Sequence, residues 1–381
     1  MKTTLFKFTL LLTILCTLNS YNVSAQNPIL SQNAKVSILT CGTGNESYSL
    51  FGHTALRITD ELTMVDVVYN YGAFDFNTPN FVSKFAKGDL DYFAVTHRFA
   101  DFMATYMYEQ RNVYEQELEL PLEVKQQLFE NLNSALTSGE SIYRYKFIDK
   151  NCTSMVIDII NKTLRETAVS KRTPSILTYR SILYPYFDNH FYEQLGTSII
   201  FGTKVDAISD HIFLPLDLME NLKLATYKGQ KLVQTETKTL LDFAPTASFS
   251  WWNNFYSYLI VLGLIIVLNI KLINQVYFFI MGAIGILFIS LGFYSGHLEL
   301  ANNYNVLLFN PLLVLSFCFY GQKQRKWLYY IALFSLLLLL IYIIVLINKA
   351  HFLIVLPLIV TNAYLLVKLY LKHNKRISII I

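Results

Sequence analysis

Two short stretches carry residue types suited to acyl chemistry. One is Leu50-Phe51-Gly52-His53-Thr54-Ala55-Leu56-Arg57-Ile58, and the other is Asp149-Lys150-Asn151-Cys152-Thr153. A cysteine attacks as its thiolate, so its reactivity depends on a depressed thiol pKa. Cys152 stands at or just before an expected helix start, where unpaired N–H groups and the helix macrodipole favour an anion. Asn151 can cap that helix. His53 follows Gly52 in an expected strand. A histidine beside the thiol takes its proton and later returns it to a leaving group. A third polar group usually orients the imidazole. Asn70, flanked by Tyr69 and Tyr71 on the next strand, is the best-placed candidate, with Asp66 or the tyrosine hydroxyls behind it.

The residues alone leave other readings open. A histidine on a strand is often structural, and a cysteine at a helix start is often a small buried side chain. Cys41 and Cys152 are the two cysteines of the expected exported domain. An oxidising compartment invites a disulfide between them, which would remove both as nucleophiles. Cys41 is also an alternative nucleophile, 12 residues before His53 in a Gly/Ser-rich loop; the helix start favours Cys152. A zinc site is weaker, because Cys41, His53 and Cys152 lack paired ligand spacing. His97, His190 and His211 are isolated and read as structural. No metal or cofactor is expected.

These side chains need elements to hold them. Alternation and β-branched content predict strands over 34–40, 52–59 and 64–71, with others over 92–97, 113–120 and 143–147. Residues 72–80 form a turn-rich aromatic loop. Pro121 suits the first turn of a helix with Leu128, Leu132 and Leu136 on one face. The run from Cys152 through Ile160 predicts a helix buried through Met155, Val156, Ile159 and Ile160. Residues 175–225 are expected to be mostly helical, with breaks at Gly196, Gly202 and Pro215, and 231–241 to be strand.

Hydrophobic residues make up 53% of the 381 and charged residues 15%, against about a quarter charged in soluble domains. The excess lies in 255–371, so that part is expected in lipid, while 26–250 has the composition of a globular domain. The net charge of +4 is too small to argue for nucleic acid. Lys2 and Lys7, an apolar run from Phe8 to Leu18 and the small residues of Val23-Ser24-Ala25 predict a cleaved secretory signal over 1–25. Leu15 is too bulky for lipoprotein processing at Cys16. Residues 26–250 then form the exported domain and 251–381 the membrane domain.

Five spans are drawn at 255–270, 276–294, 306–320, 328–347 and 352–371, near the length that crosses about 30 Å of hydrocarbon. Lys271, then Lys323, Arg325 and Lys326, then Lys368, Lys372, Lys375 and Arg376 follow alternate spans. This pattern places the N-terminal domain outside and the C-terminus in the cytoplasm. His297, Asn302, Asn303, Asn305 and Asn310, with Pro311 next, cluster near the outer ends of the second and third spans. They are either solvated at the interface or contact a headgroup or substrate below the exported domain.

A histidine strand that precedes an Asn-Cys helix resembles circularly permuted papain-like enzymes, including lecithin:retinol acyltransferase and its phospholipid-acyltransferase relatives. The stretches from Leu39 to Arg57, Asn70 to Phe76 and Asn151 to Thr153 more specifically resemble the periplasmic domain of Lnb-type lipoprotein N-acyltransferases of Bacteroidota. His297 and the run from Asn302 to Pro311 resemble that family's membrane part. The resemblance implies an α+β permuted papain-like (NlpC-like) periplasmic domain followed by an all-α bundle of five transmembrane helices, set in a bacterial inner membrane. It implies acyl transfer from a membrane phospholipid to the α-amino group of a diacylglyceryl-cysteine lipoprotein, with Cys152 and His53 as the catalytic pair. Cys41, Tyr71, Asn151, His297 and Asn305 are the candidate substrate contacts. The competing expectations are a hydrolase built on the same pair, either a phospholipase or a cell-wall peptidase, and a non-enzymatic envelope protein stapled by a Cys41–Cys152 disulfide.

Overall fold

A computed structural model of the chain describes residues 28–172, 176–234, 236–244, 250–322 and 324–374. The expected signal segment with Cys16, and Lys323, Lys375 and Arg376, lie outside the described residues.

The N-terminal part is a mixed α/β domain built on an antiparallel sheet. Its strands are β1 (Lys35–Cys41), β2 (His53–Asp60), β3 (Val65–Ala73), β4 (Asp91–Arg98), β5 (Val113–Glu117) and β6 (Tyr143–Arg144), followed by β7 (Thr226–Tyr227), β8 (Gln230–Lys231) and β9 (Lys238–Leu241). Seven of them pair in the order β6-β4-β3-β2-β1-β5-β9, while β7 and β8 form a separate hairpin. The first three strands lie where alternation predicts them. The expected strand over 231–241 divides into β8 and β9.

Side chains alternate across a strand, and here both faces are covered. Ile38, Leu56 and Tyr69 pack on one side with Leu128 and Leu132 of one helix and Val156 and Ile160 of another. Leu39, Ala55 and Val68 pack on the other side with Phe102 and Tyr106. The helices in chain order are α1 (Phe81–Lys87), α2 (Phe99–Tyr108), α3 (Leu122–Ser138), α4 (Cys152–Leu164), α5 (Tyr179–Leu183), α6 (Phe191–Ile200) and α7 (Pro215–Leu222). The expected helices after Pro121 and at Cys152 are α3 and α4.

The C-terminal part is helical: α8 (Phe255–Leu268), α9 (Lys271–Tyr294), α10 (Leu312–Gly321), α11 (Arg325–Leu346) and α12 (Phe352–His373). Among the described residues, α9, α11 and α12 are long and apolar enough to cross a membrane. A fourth crossing is counted if the turns at 298–307 and the helix at 312–320, bent by 45°, make one span. The 14 residues of α8 reach only about 21 Å at ~1.5 Å per residue, short of the ~30 Å hydrocarbon core. Five full-length spans are therefore not what the helices provide.

The third expected span breaks for identifiable reasons. Pro311 has no N–H to give to a preceding turn. Asn310 is buried and accepts from Leu312 N at 3.1 Å while donating to Ser335 Oγ at 2.9 Å. The irregular segment also presses on α9: a Cβ at Gly285 would lie 1.6 Å from the Phe309 carbonyl oxygen. Small residues permit such close backbone approach between membrane segments.

The two parts are joined by polar contacts. Arg180 pairs with Asp206 at 2.7 Å, and both are buried. Asp206 also accepts from Tyr304 OH at 2.6 Å and faces Lys349 at 3.5 Å. Asn303 donates to the carbonyls of Ile199 and Ile200, at 2.9 and 2.8 Å. Phe191, Leu195 and Ile199 of α6 pack onto the membrane-side core. Removing one member of a buried ion pair strands the other's charge. Arg180→Leu is therefore expected to lower stability by about 3 kcal/mol, read as an earlier thermal transition in detergent. An unchanged transition would show that Tyr304 and Lys349 alone hold Asp206.

Candidate active site

The site forms where the start of α4 meets the ends of β2 and β3. Asn151 adopts an extended conformation, and its Oδ1 accepts from Thr153 N at 2.9 Å and Ser154 N at 3.1 Å. Ser154 Oγ accepts from Asn151 N at 2.9 Å, completing a reciprocal capping box. This cap fixes Cys152 as the first helical residue.

His53 opens β2, with Cys41 as its cross-strand partner on β1. On the other side, Leu56 pairs with Tyr69 of β3. Continued by one step, that register sets Asn70 against Ala55, diagonal to His53 on the same face. The side chains meet: His53 Nε2 donates to Asn70 Oδ1. The other ring nitrogen, Nδ1, is left for the sulfur, and the Cys152 thiol lies close enough to the imidazole for each to shift the other's protonation.

Gly72 makes room for this meeting. It sits at an irregularity between Tyr71 and Ala73 with φ +113°, a conformation costly for residues with a Cβ. A Cβ at Gly72 would lie 3.7 Å from His53 Cε1 and 3.9 Å from Cys152 Cβ. Thr54 and Thr153, next to the two reactive residues, hydrogen-bond through their buried hydroxyls at 3.0 Å and tie β2 to α4.

The electrostatics favour a reactive sulfur. Burial pushes the Cys152 thiol up, but the charge and hydrogen bond of His53, with bonds from the Thr54 backbone and Thr153, outweigh it and hold the thiol below its ordinary value. Burial pushes His53 down, but Cys152 and Asn70 together raise it above its ordinary value. Each partner thus stabilises the charged form of the other.

Cys41 behaves differently. It is fully buried among Leu39, Ala55, Val68 and Tyr106, and burial pushes its thiol up to about 12. Both Cys41 and Cys152 are free thiols, so the disulfide staple is not formed. Cys41 has neither the exposure to touch substrate nor the charge to act as nucleophile.

The four other expected substrate contacts have partners within the fold. Asn151 is consumed by the cap and by donating from Nδ2 to the carbonyls of Phe147 and Phe213, at 2.9 and 2.8 Å. Tyr71 is buried in the core, with its ring 6.4 Å from that of Tyr143. His297 is buried and its Nε2 donates to Phe85 O at 2.9 Å. Asn305 is fully buried and accepts from Tyr342 OH at 2.7 Å. His297 and Asn305 thereby help to join the two parts of the protein. His211 hydrogen-bonds Tyr179 OH at 2.6 Å, away from the pair.

Three residues near the thiol escaped sequence reasoning. Thr54 and Thr153 were legible only as neighbours of His53 and Cys152, and Gly72 only as a glycine in an aromatic loop. Among the described residues no group of His, Cys, Asp and Glu is arranged to hold a metal.

A lowered thiol forms thiolate at lower pH, so iodoacetamide alkylation of Cys152 should rise with a midpoint below the ordinary value of 9.0. His53→Ala removes the charge that holds the thiol down and should move that midpoint up, and Asn70→Ala should move it up by less. Quantifying labelled peptides by mass spectrometry across pH checks this. A wild-type midpoint at or above 9.0 would contradict the pairing.

Two models of known families match the chain. Residues 23–184, which contain His53, Asn70 and Cys152, match the model of the Lnb N-terminal periplasmic domain. Residues 235–373 match the model of the Lnb transmembrane domain. No curated protein and no solved structure matches the chain. The two matches follow one another in order and together span most of the sequence, and the protein belongs to the Lnb family, with a periplasmic domain followed by a transmembrane domain.

Proposed function

We propose that this protein is a lipoprotein N-acyltransferase, which moves an acyl chain from a membrane phospholipid to the free α-amino group of a diacylglyceryl-cysteine lipoprotein. The observation that carries this reading is a lowered Cys152 thiol, paired with an Asn70-held His53, in an Lnb-family domain joined to membrane helices. The order of histidine strand before cysteine helix is that of a permuted papain-like domain, which supports a thiol enzyme.

The chemistry runs in two halves. Cys152 thiolate attacks the phospholipid ester carbonyl, and the imidazolium of His53 protonates the departing glycerol oxygen. Lysophospholipid leaves and a thioester remains. The lipoprotein amine then attacks the thioester, His53 takes a proton from it, and the thiolate departs as the amide forms. Both halves develop an oxyanion. Asn151 claims the amides of Thr153 and Ser154 but not that of Cys152, so the Cys152 N–H is the natural donor to that charge. If water replaces the amine, the same pair is a phospholipase, so acceptor dependence separates the two reactions.

Access from the bilayer is supported by α1. None of its residues is buried, and Val82 and nearby Phe76 are 77% and 75% exposed. The helix is tied to the end of α9, where Ser295 Oγ donates to Ala86 O and Gly296 N to Lys87 O, both at 2.7 Å. From Phe76 a row of rings runs inward through Phe74 and Tyr92 to Tyr145, with centroids 4.6 to 5.0 Å apart. Phe74, Tyr145 and Cys152 pack against the same core. Holding both lipid-anchored substrates at this surface raises their effective concentration. The alternating basic segments support a cytoplasmic C-terminus, which needs an odd number of crossings and so counts the short α8 as a fifth, less than full-length one, with the domains divided near 26–250 and 251–381.

In a strain whose sole N-acyltransferase is Cys152→Ala, lipoprotein N-terminal peptides should be diacylated by mass spectrometry; unchanged triacylation would refute the proposal. Val82→Asp with Phe85→Asp should slow transfer from bilayer phospholipid at least about tenfold, because two apolar side chains lose their lipid contact. Alkylation of Cys152 by iodoacetamide should be unchanged in that variant. Equal losses in both assays would show that α1 supports the fold and not lipid access.

A further inference from the structure

The far end of the membrane domain contains a feature that the acyl chemistry does not use. Helices α9, α10 and α12, with Asn269 just after α8, line a partly open cavity at the end of the bundle opposite the periplasmic domain. Lys271, Lys368 and Lys372 line it together with Asn274, Ser316 and Tyr320. Lys271 begins α9 and Lys372 lies in the last turn of α12, yet both converge on one ring. Their Nζ atoms stand 4.4 and 5.6 Å from the Tyr320 centroid, and Lys372 also donates to Tyr320 OH at 3.0 Å. Lys368 is one helical turn before Lys372.

This convergence is more than membrane orientation requires. Basic residues that set topology need only lie in the loop or helix end on the proper side, free to spread into water. Here two exposed ammonium groups, those of Lys271 and Lys372, share one ring, and Lys368, whose ammonium lies over Tyr364, lines the same pocket, so three like charges are gathered at one mouth, where they repel one another. The sequence supplies nothing to balance them: from residue 250 to the end it contains no Asp and one Glu, Glu299. Glu299 is at the opposite end, accepting from Ile148 N at 2.8 Å. The same cavity holds an unmet acceptor: Asn274 Nδ2 donates to Asn269 Oδ1 at 2.9 Å, but Asn274 Oδ1 is buried without a partner. Leu272 and Leu371, both exposed, extend the rim with apolar surface.

We propose that this cavity binds the headgroup of an anionic phospholipid from the leaflet opposite the periplasmic domain, its phosphate held by Lys271, Lys368 and Lys372 and a headgroup hydroxyl donated to Asn274 Oδ1. Basic pockets between membrane helices are suited to such lipids, and the exposed leucines would meet the acyl chains. A glycerol headgroup supplies the required hydroxyl, whereas a choline headgroup cancels the charge and offers no donor. The site is remote from Cys152 and does not rest on the acyl-transfer reading.

The test uses the purified full-length protein after delipidation, with retained lipid read by native mass spectrometry and stability by thermal unfolding. Phosphatidylglycerol should bind and raise the transition temperature well beyond phosphatidylcholine of the same chains. Each lysine contributes about fivefold in binding, so Lys271→Gln, Lys368→Gln and Lys372→Gln should each weaken phosphatidylglycerol by about that factor, with Arg at the same positions preserving it. Asn274→Leu should reduce the preference for phosphatidylglycerol over phosphatidic acid. Equal binding of phosphatidylglycerol and phosphatidylcholine would overturn the proposal, as would an undiminished preference after Lys368→Gln, a change at an exposed position. Inorganic phosphate reproducing the full stabilisation would also overturn it, since the site would then take a free anion and not a lipid.

Discussion

Asn151 holds the beginning of α4 from both sides. Its carbonyl oxygen takes two amides that the first helical turn leaves open, and its amide nitrogen anchors the carbonyls of Phe147 and Phe213. A cap of this kind is worth about 1 kcal/mol as a helix terminator. Its larger consequence here is positional. It makes Cys152 the first residue of the helix, with its sulfur turned to the edge where β2 delivers His53. Without that constraint a cysteine and a histidine 99 positions apart in the sequence have no reason to meet. The register of β2 and β3 supplies the third member, because Asn70 falls diagonal to His53.

The same loop connects the site to the membrane. Ile148, between Phe147 and the cap, donates its N–H to Glu299 of the membrane part. Gly202 donates to the Glu299 carbonyl at 2.7 Å, and Arg180, Asp206, Tyr304 and Lys349 complete the junction. Much of this joint is built by residues between the two family matches, which end at 184 and resume at 235. In that interval α6 packs onto the membrane-side core. The thiol is thus referenced to the bilayer by hydrogen bonds and buried charge, as well as by chain connectivity.

The residues that gather at the start of α4 were legible in the sequence because their signals are local. Gly52 before His53, Asn151 before Cys152 and the alternation around Asn70 are each readable within a few residues. The partners that Tyr71, His297 and Asn305 find within the fold were not legible for one shared reason. Polar and aromatic residues that bind a ligand and those that satisfy buried backbone have the same letters, and only long-range partners distinguish them. The partner of Asn305 is Tyr342, and that of His297 is the Phe85 carbonyl. Helix α1 escaped notice because its 7 residues are too few for a helical period to stand out. Helix α2 follows β4 with no intervening turn. The third membrane segment read as continuous because its apolar composition outweighed the break that Asn310 and Pro311 impose.

The central claim is that the sulfur of Cys152, activated by His53, carries the acyl group between two lipid substrates. Its most direct test is the intact mass of the full-length protein after incubation with a phospholipid of defined chain length and no amine acceptor. The account predicts an increase equal to one acyl chain, mapped to the Cys152 peptide, released by neutral hydroxylamine and absent when His53 is alanine. Lysophospholipid accumulating with no adduct on Cys152, or an adduct mapped to another residue, would contradict it.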